Sequence, residues 1–173
     1  MPLVRFELPF DRVYAAASNG ALGTATAALT ITAAGSGGLY STPFRTPLDM
    51  DRSREAHLYA ALYKPGGALV PAGFVAIQVV RTIARPDLAA ADLPTTTFLE
   101  IPANHPNNTP IYFDLEDPLD PLFPPGILQP DDLVGLRVAR LGTNPGDDWA
   151  STLGIVTMLW LEYSENCRGA FCC

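Results

Sequence analysis

Proline and glycine constrain this chain more than any other residues do. The 173 residues include 17 prolines and 14 glycines, and these break the chain at short intervals, so few uninterrupted windows could form a helix. The alanine-rich segment 11–27 contains Gly20 and Gly23, each of which costs about 1 kcal/mol inside a helix. Segment 85–94 allows a single turn after Pro86. We therefore expect almost no helix.

The runs between these breaks alternate apolar and polar residues. In segment 73–85 the side chains of Val75, Ile77 and Val79 share one face, and in segment 133–140 Arg137 points away from the apolar side. The predicted strands lie in 27–34, 55–63, 73–85, 95–102, 110–116, 133–140 and 153–163. Such alternation is typical of half-buried antiparallel strands. It predicts an all-β fold, a jelly-roll-like antiparallel β-sandwich, and an immunoglobulin-type domain is less favoured because its paired core cysteines are absent.

The first part of the chain is patterned differently from the rest. Segment 33–44 is rich in glycine and serine, and what precedes it alternates weakly. We predict an N-terminal arm or extended segment at 1–44, a β-sandwich domain at 45–164 and a cysteine-containing tail at 165–173. The alternative for the first segment is one strand followed by a long surface loop.

Charge excludes several classes of partner. The chain has 11 basic and 18 acidic residues, and Lys64 is its single lysine. Nucleic-acid binding requires clustered basic residues, so we expect no nucleic-acid partner.

No apolar run is long enough to cross a membrane, and residues 1–14 do not resemble a secretory signal. Charged residues make up only 17%, against about 25% in typical proteins, which suggests a surface covered by a partner; alanine-rich loops are the alternative.

An acidic segment at 113–132 is the strongest candidate for chemistry. Its carboxylates are Asp114, Glu116, Asp117, Asp120, Asp131 and Asp132. They suit calcium, which takes six to eight oxygen ligands, but the glycine and glutamate of an EF-hand are missing. The many prolines favour a solvated crossover between strands. A hydrolase that uses a carboxylate pair from this segment is a further hypothesis.

No nucleophilic motif accompanies the two histidines. The sequence has no G-x-S-x-G elbow. His57 alternates with tyrosines on a predicted strand, which favours a packed or hydrogen-bonded role, and His105 lies among turn formers. Asn107 begins a formal glycosylation sequon, which means little without a secretion signal. We predict no catalytic residue, no metal and no cofactor, and hence not an enzyme.

All three cysteines lie in the last seven residues. Cys167, Cys172 and Cys173 are candidates for a disulfide, within or between chains, although a bond between the two adjacent ones would be strained. Free thiols and a metal site are the alternatives.

The last predicted strand is apolar on both faces. A strand buried on both sides belongs to a sheet covered by a second layer or by another subunit. The predicted interface residues are Trp149, Val156, Met158 and Trp160, with Phe10 and Tyr14 from the N-terminal segment.

The C-terminal third resembles a known class of proteins. Segment 128–163, LQPDDLVGLRVARLGTNPGDDWASTLGIVTMLWLEY, is similar to the last two strands of small jelly-roll proteins of tailed-bacteriophage particles. The features are a P-D-D-L-V-G-L-R-V strand, a loop with Gly and Asp before an aromatic residue, and an apolar strand that ends in L-E-Y. The resemblance implies assembly rather than catalysis, and the tail 165–173 departs from it.

The resemblance implies a capsid cement or decoration protein. We expect a homotrimer that is made in the host cytoplasm, lies on the capsid surface of the virion and bridges subunits of the major capsid protein. The alternative is a tail, collar or fibre module that attaches to a host-surface glycan or receptor through loops Ala103–Pro110 and Thr143–Trp149.

Overall fold

The structure is a computed structural model that describes residues 3–8, 10–14, 20–23, 28–31, 36–64, 66–88, 90–115 and 121–164. All regular structure in these residues is β. The strands are β1 Leu3–Leu8, β2 Phe10–Tyr14, β3 Gly20–Gly23, β4 Ala28–Ile31, β5 Ser36–Ser41, β6 Phe44–Arg45, β7 His57–Tyr63, β8 Gly73–Ala84, β9 Asp92–Ile101, β10 Ile111–Asp114, β11 Leu133–Leu141 and β12 Leu153–Ser164.

The strands form two antiparallel sheets that pack face to face. Sheet A has the order β10-β7-β12-β4-β3, with β1 also paired to β12, and sheet B has the order β2-β5-β11-β8-β9, with β6 also paired to β11. The pairing is nested along the chain: β8 pairs with β9, β7 with β10, β5 with β11 and β4 with β12. This is the connectivity of a jelly roll, and it confirms the predicted fold class.

The core lies between the two sheets, where the alternation of the sequence places it. In β9 from Thr95 to Ile101 and in β11 from Leu133 to Val138, buried residues alternate with more exposed ones, because successive side chains point to opposite faces of a sheet. The residues that meet there include Leu58, Leu62, Leu153 and Leu161 from sheet A and Val75, Ile77, Val79, Val134, Leu136 and Val138 from sheet B. Burying each such side chain contributes about 1.5–3 kcal/mol.

The described residues of segment 1–44 are built into the sandwich. β1 pairs along β12 from Leu3–Ser164 to Leu8–Leu159, and β5 pairs with β11. β1 is six residues long and alternates Val4, Phe6 and Leu8 with Arg5 and Glu7, whereas β5 contains two glycines and shows little alternation. Pairing with β12 and β11 fixes the place of both strands in the sheets. The sandwich therefore extends into the segment that the sequence assigned to an arm, while the tail 165–173 lies outside the described residues.

The connecting loops gather at two ends of the sandwich. The Trp149 end comprises loops 66–72, 102–110 and 142–152, and the Arg85 end comprises loops 46–56, 85–88 and 121–132. Neighbouring loops are hydrogen-bonded to one another; for example, the backbone N–H of Asn104 donates to the carbonyl oxygen of Val70 over 3.0 Å. The outer faces of the sheets lie between these ends.

Candidate functional site

A buried ion pair organises the Trp149 end. Arg140 and Asp147 both have fully buried side chains. Arg140 donates from Nε to Oδ2 of Asp147 over 2.8 Å and from Nη2 to Oδ1 over 2.6 Å. It also donates to the carbonyl oxygens of Ser151 and Trp149. Because a buried charge is tolerated only when it is paired and hydrogen-bonded, this pair holds the loop 142–152 against the sandwich.

The ring of Trp149 belongs to the core. The residue is 2% exposed, and its ring centre lies 5.7 Å from the guanidinium carbon of Arg140. It therefore offers no surface to a partner, which corrects its assignment to an interface. Asp147, two residues before Trp149, turns inward and bonds to the same arginine.

A second pair fastens the Arg85 end. Arg85 donates from Nε to Oδ1 of Asp132 over 2.9 Å and contacts the other carboxylate oxygen through Nη2. Nη2 also donates to the carbonyl oxygen of Ile127, and Asp132 accepts the backbone N–H of Gln129. The side chains of Arg85 and Asp132 are 13% and 3% exposed, so this pair is less enclosed than the first.

The described carboxylates of the acidic segment do not converge on one point. Asp114 bonds to a histidine, Asp131 pairs with Arg45 over 3.0 Å, and Asp132 pairs with Arg85. Residues 116–120 lie outside the described part of the chain. Among the residues that are described, no three His, Cys, Asp or Glu side chains lie where they could hold a metal ion.

A polar network covers one part of the outer face of sheet A. Nδ1 of His57 lies 3.0 Å from Asp114 and its Nε2 lies 3.4 Å from Glu55, so the predicted hydrogen-bonded role of this histidine is confirmed. Burial raises the pKa of the neighbouring Tyr59 above its ordinary value, and the negative charges of Asp114 and Glu162 raise it further. The network links β7 to β10.

The second histidine lies at the other end of the molecule. Nε2 of His105 contacts the carbonyl oxygen of Thr109 within their own loop, over 2.7 Å. The same loop is held by Lys64, which is 1% exposed and donates to Asn107 over 2.7 Å and to the carbonyl oxygen of Gly67. This part of the Trp149 end is thus fixed by internal hydrogen bonds.

A groove of 530 Å³ opens on the outer face of sheet B. We call it the Gly135 groove, and its polar lining comprises Tyr40, Gln78, Thr82, Asp92 and Arg137. Gly135 makes room for it in the middle of β11, because a side chain at this position would meet nothing within 4 Å. The strands β5, β11, β8 and β9 all contribute to the walls.

Hydrogen bonds between neighbouring strands fix the polar side chains of the Gly135 groove. Nη2 of Arg137 donates to Oε1 of Gln78 over 2.7 Å, and the hydroxyl of Thr82 donates to Asp92. Nε of Arg137 is buried, and within the described part of the chain it has no hydrogen-bond partner. The groove therefore presents a guanidinium, an amide and a carboxylate in set positions.

Two phenylalanines are exposed at the Trp149 end of the same face. Phe74 is 44% exposed and Phe98 is 49% exposed. Phe74 pairs with Glu100, two residues along β9 from Phe98, so the rings are diagonal neighbours within reach of each other. A side chain on Gly146 would come within 2.4 Å of the ring of Phe98. We call Phe74 and Phe98 the aromatic patch.

The remaining predicted interface residues lie in strands whose side chains are not described. Phe10 and Tyr14 are in β2 and pair with β5, and Val156, Met158 and Trp160 are in β12. Trp160 pairs with Tyr59 of β7, after an irregularity between Ile155 and Leu159. Their role at an interface stays a prediction. Cys167, Cys172 and Cys173 lie outside the described residues.

Sequence reasoning missed the Gly135 groove. Two signals point to it: a glycine inside a strand often marks a place where another group approaches closely, and Gln78 and Thr82 occupy the polar face of β8. Neither signal shows that Tyr40 and Asp92, distant in the sequence, meet them on that face.

No protein-family description matches the chain, and no curated protein matches its sequence significantly. In the described part of the chain, no helix has the length and hydrophobicity that crossing a bilayer requires.

Proposed function

We propose that this chain is a non-enzymatic structural protein of a tailed-bacteriophage particle, a capsid cement protein that bridges subunits of the major capsid protein. The aromatic patch is the observation that carries the proposal. Large apolar side chains on an exposed sheet face are a common feature of protein docking surfaces, and aromatic residues are enriched at the centres of interfaces.

The two buried Arg–Asp pairs support the same interpretation. Arg140, Asp147, Arg85 and Asp132 are all engaged in joining loops to strands. They stiffen both ends of the sandwich, and a rigid module loses little conformational freedom when it docks. A protein that binds only the assembled shell stabilises that shell by mass action. A homotrimer, with further contacts from Phe10 and Tyr14, is part of this proposal.

The test uses shells that lack the protein. Purified wild-type chain, a Phe74→Ser/Phe98→Ser variant and the control Thr96→Val are each sedimented with such shells. Thr96 lies in β9, two residues from Phe98 and on the same face. We expect wild type and control to bind equally and the double variant to bind at least about tenfold more weakly. Equal binding of all three, or no binding by wild type, would contradict the proposal.

The second candidate is a tail, collar or fibre module that attaches to a host-surface glycan. The Gly135 groove favours it, since the groove combines an aromatic wall with polar side chains. Immunogold electron microscopy of whole particles separates the candidates: label on the capsid supports the cement protein, and label confined to the tail supports the attachment module.

A further inference from the structure

We propose that the Gly135 groove binds a neutral saccharide. The proposal does not rest on the capsid role, because the aromatic patch lies at the Trp149 end of β8 and the groove lies around Gln78 and Thr82, further along the same strand.

The dimensions and position of the groove suit a small ligand. Its 530 Å³ falls within the range of about 300–1,000 Å³ that small-molecule sites occupy. The empty space above Gly135 lies on β11, which pairs with β5 and β6 on one side and with β8 on the other. A site on such a central strand is held more firmly than one on a loop.

The polar side chains match the hydroxyl groups of a sugar. A hydroxyl both donates and accepts hydrogen bonds, and the groove offers both kinds of partner. Arg137 and the amide nitrogen of Gln78 are donors, and the carboxylate of Asp92 is an acceptor. The bonds Arg137–Gln78 and Thr82–Asp92 preset these groups.

The charges favour a neutral ligand. The polar lining contains one guanidinium, from Arg137, and one carboxylate, from Asp92. An anionic ligand such as a phosphate would gain from the first and be repelled by the second, whereas a neutral polyol can bond to both. The walls also contain Tyr40, Pro43 and Pro94, whose apolar surfaces can pack against the C–H face of a sugar ring.

A peptide fits the groove less well. Extended peptides gain most of their affinity by adding a strand to an open sheet edge. Along the groove, Gly135 and Leu136 of β11 pair with β8, and on the other side, between the pairings with β6 and β5, the backbone N–H of Leu136 donates to the hydroxyl of Ser41, so no open sheet edge is offered there. A ligand above Gly135 must therefore be recognised through side chains.

The experiment applies labelled protein to an array of neutral and acidic glycans, and retained neutral glycans are then titrated. The variants are Gly135→Val, which fills the groove, Gln78→Ala, which removes an amide, and the control Thr96→Val on the same face. We expect a neutral glycan to be retained and to bind at least about tenfold more weakly to Gly135→Val and Gln78→Ala, with no change for Thr96→Val. Valine suits a strand and has free space at this position.

Three results would overturn the proposal: no retained glycan, retention of acidic glycans alone, or equal affinity of wild type, Gly135→Val and Gln78→Ala. Urea unfolding of each variant shows whether it is folded. If Gly135→Val does not fold, the comparison of wild type with Gln78→Ala decides the test. The shell-binding assay with Gly135→Val keeps the two proposals separate, because this variant is expected to bind shells as wild type does.

Discussion

The two ends of the sandwich are fastened by the same chemical device in different surroundings. At each end an arginine makes two bonds to an aspartate in a loop: Arg140 of β11 to Asp147 at the Trp149 end, and Arg85, which directly follows β8, to Asp132 at the Arg85 end. The first pair is wholly enclosed, whereas Arg85 keeps 13% of its side chain exposed. If the aspartate is removed, water can hydrogen-bond to the arginine only at the second pair.

The pairs also differ in the length of chain that they join. Arg140 and Asp147 are 7 residues apart, so their bond shapes a single loop. Arg85 and Asp132 are 47 residues apart, and their bond joins the end of β8 to the segment that enters β11. The comparison indicates that the enclosed pair stabilises one loop strongly. The more exposed pair connects segments that are distant in the sequence, and it contributes less to the free energy of unfolding.

The largest effect is expected from Asp147→Asn. The change removes the charge opposite a fully buried guanidinium and weakens the acceptor of the Ala76 N–H. Breaking a buried pair by changing one partner costs about 3–5 kcal/mol, so the free energy of unfolding measured in urea should fall by this amount. The control is Glu100→Gln, which makes the same charge change on an exposed residue. A loss of less than about 1 kcal/mol would show that the pair does not organise this end.

A smaller effect is expected from Asp132→Asn. Arg85 keeps access to water and the bond to Ile127, so the loss should be about 2 kcal/mol, typical of a hydrogen bond to a charged group. Asp131→Asn is the matched control, because Asp131 is the adjacent residue and forms only an exposed pair with Arg45. If Asp132→Asn lowers the free energy of unfolding as much as Asp147→Asn does, the exposure of the pair does not explain the difference between the two ends.

Much of this fold could be predicted from the sequence, because the pattern that indicates a strand lies within the strand itself. Val75, Ile77 and Val79 stand at every second position, with Ala76 and Gln78 between them, and this period indicates both the strand and its buried face. The described strands β1, β4 and β5 of segment 1–44 have at most six residues each, and nothing local fixes which strand each one pairs with. Their place in the sheets follows from pairing with β11 and β12, which are far away in the sequence.

The candidate sites could be predicted only in part. The outward position of Arg137 and the hydrogen-bonded role of His57 follow from alternation along single strands. The inward turn of Asp147 and the Gly135 groove do not, because each depends on which strands lie side by side. Trp149 illustrates the limit: the sequence analysis predicted that it lies at an interface, whereas in the structure it is buried beside Arg140.

A third ion pair extends the comparison to the surface. Nε of Arg5 lies 3.3 Å from Glu162, and the side chain of Arg5 is 67% exposed. Solvent screens such a pair, so Arg5→Ala should lower the free energy of unfolding by about 0.5 kcal/mol or less, and by less still at high salt. Urea unfolding at two salt concentrations measures it. A loss comparable to that of Asp132→Asn would contradict the ranking by exposure.

The last prediction concerns Tyr59→Phe, whose effect on the free energy of unfolding should change with pH in alkali. Burial, and then the charges of Asp114 and Glu162, raise the pKa of Tyr59 above its ordinary 10.0. As the pH rises past that value, the unfolded chain loses the proton first, so the folded state binds more protons and the free energy of unfolding falls. Below it, the contribution is intact.

Urea unfolding of wild type and Tyr59→Phe between about pH 9 and about pH 11 isolates this contribution. The two proteins share every other ionisable group, so the difference between the two curves belongs to Tyr59. We expect wild type to lose stability more steeply with pH than the variant does. Parallel curves would mean that the network on sheet A leaves Tyr59 as free to ionise in the folded chain as in the unfolded one, and that neither burial nor the carboxylates of sheet A act on it.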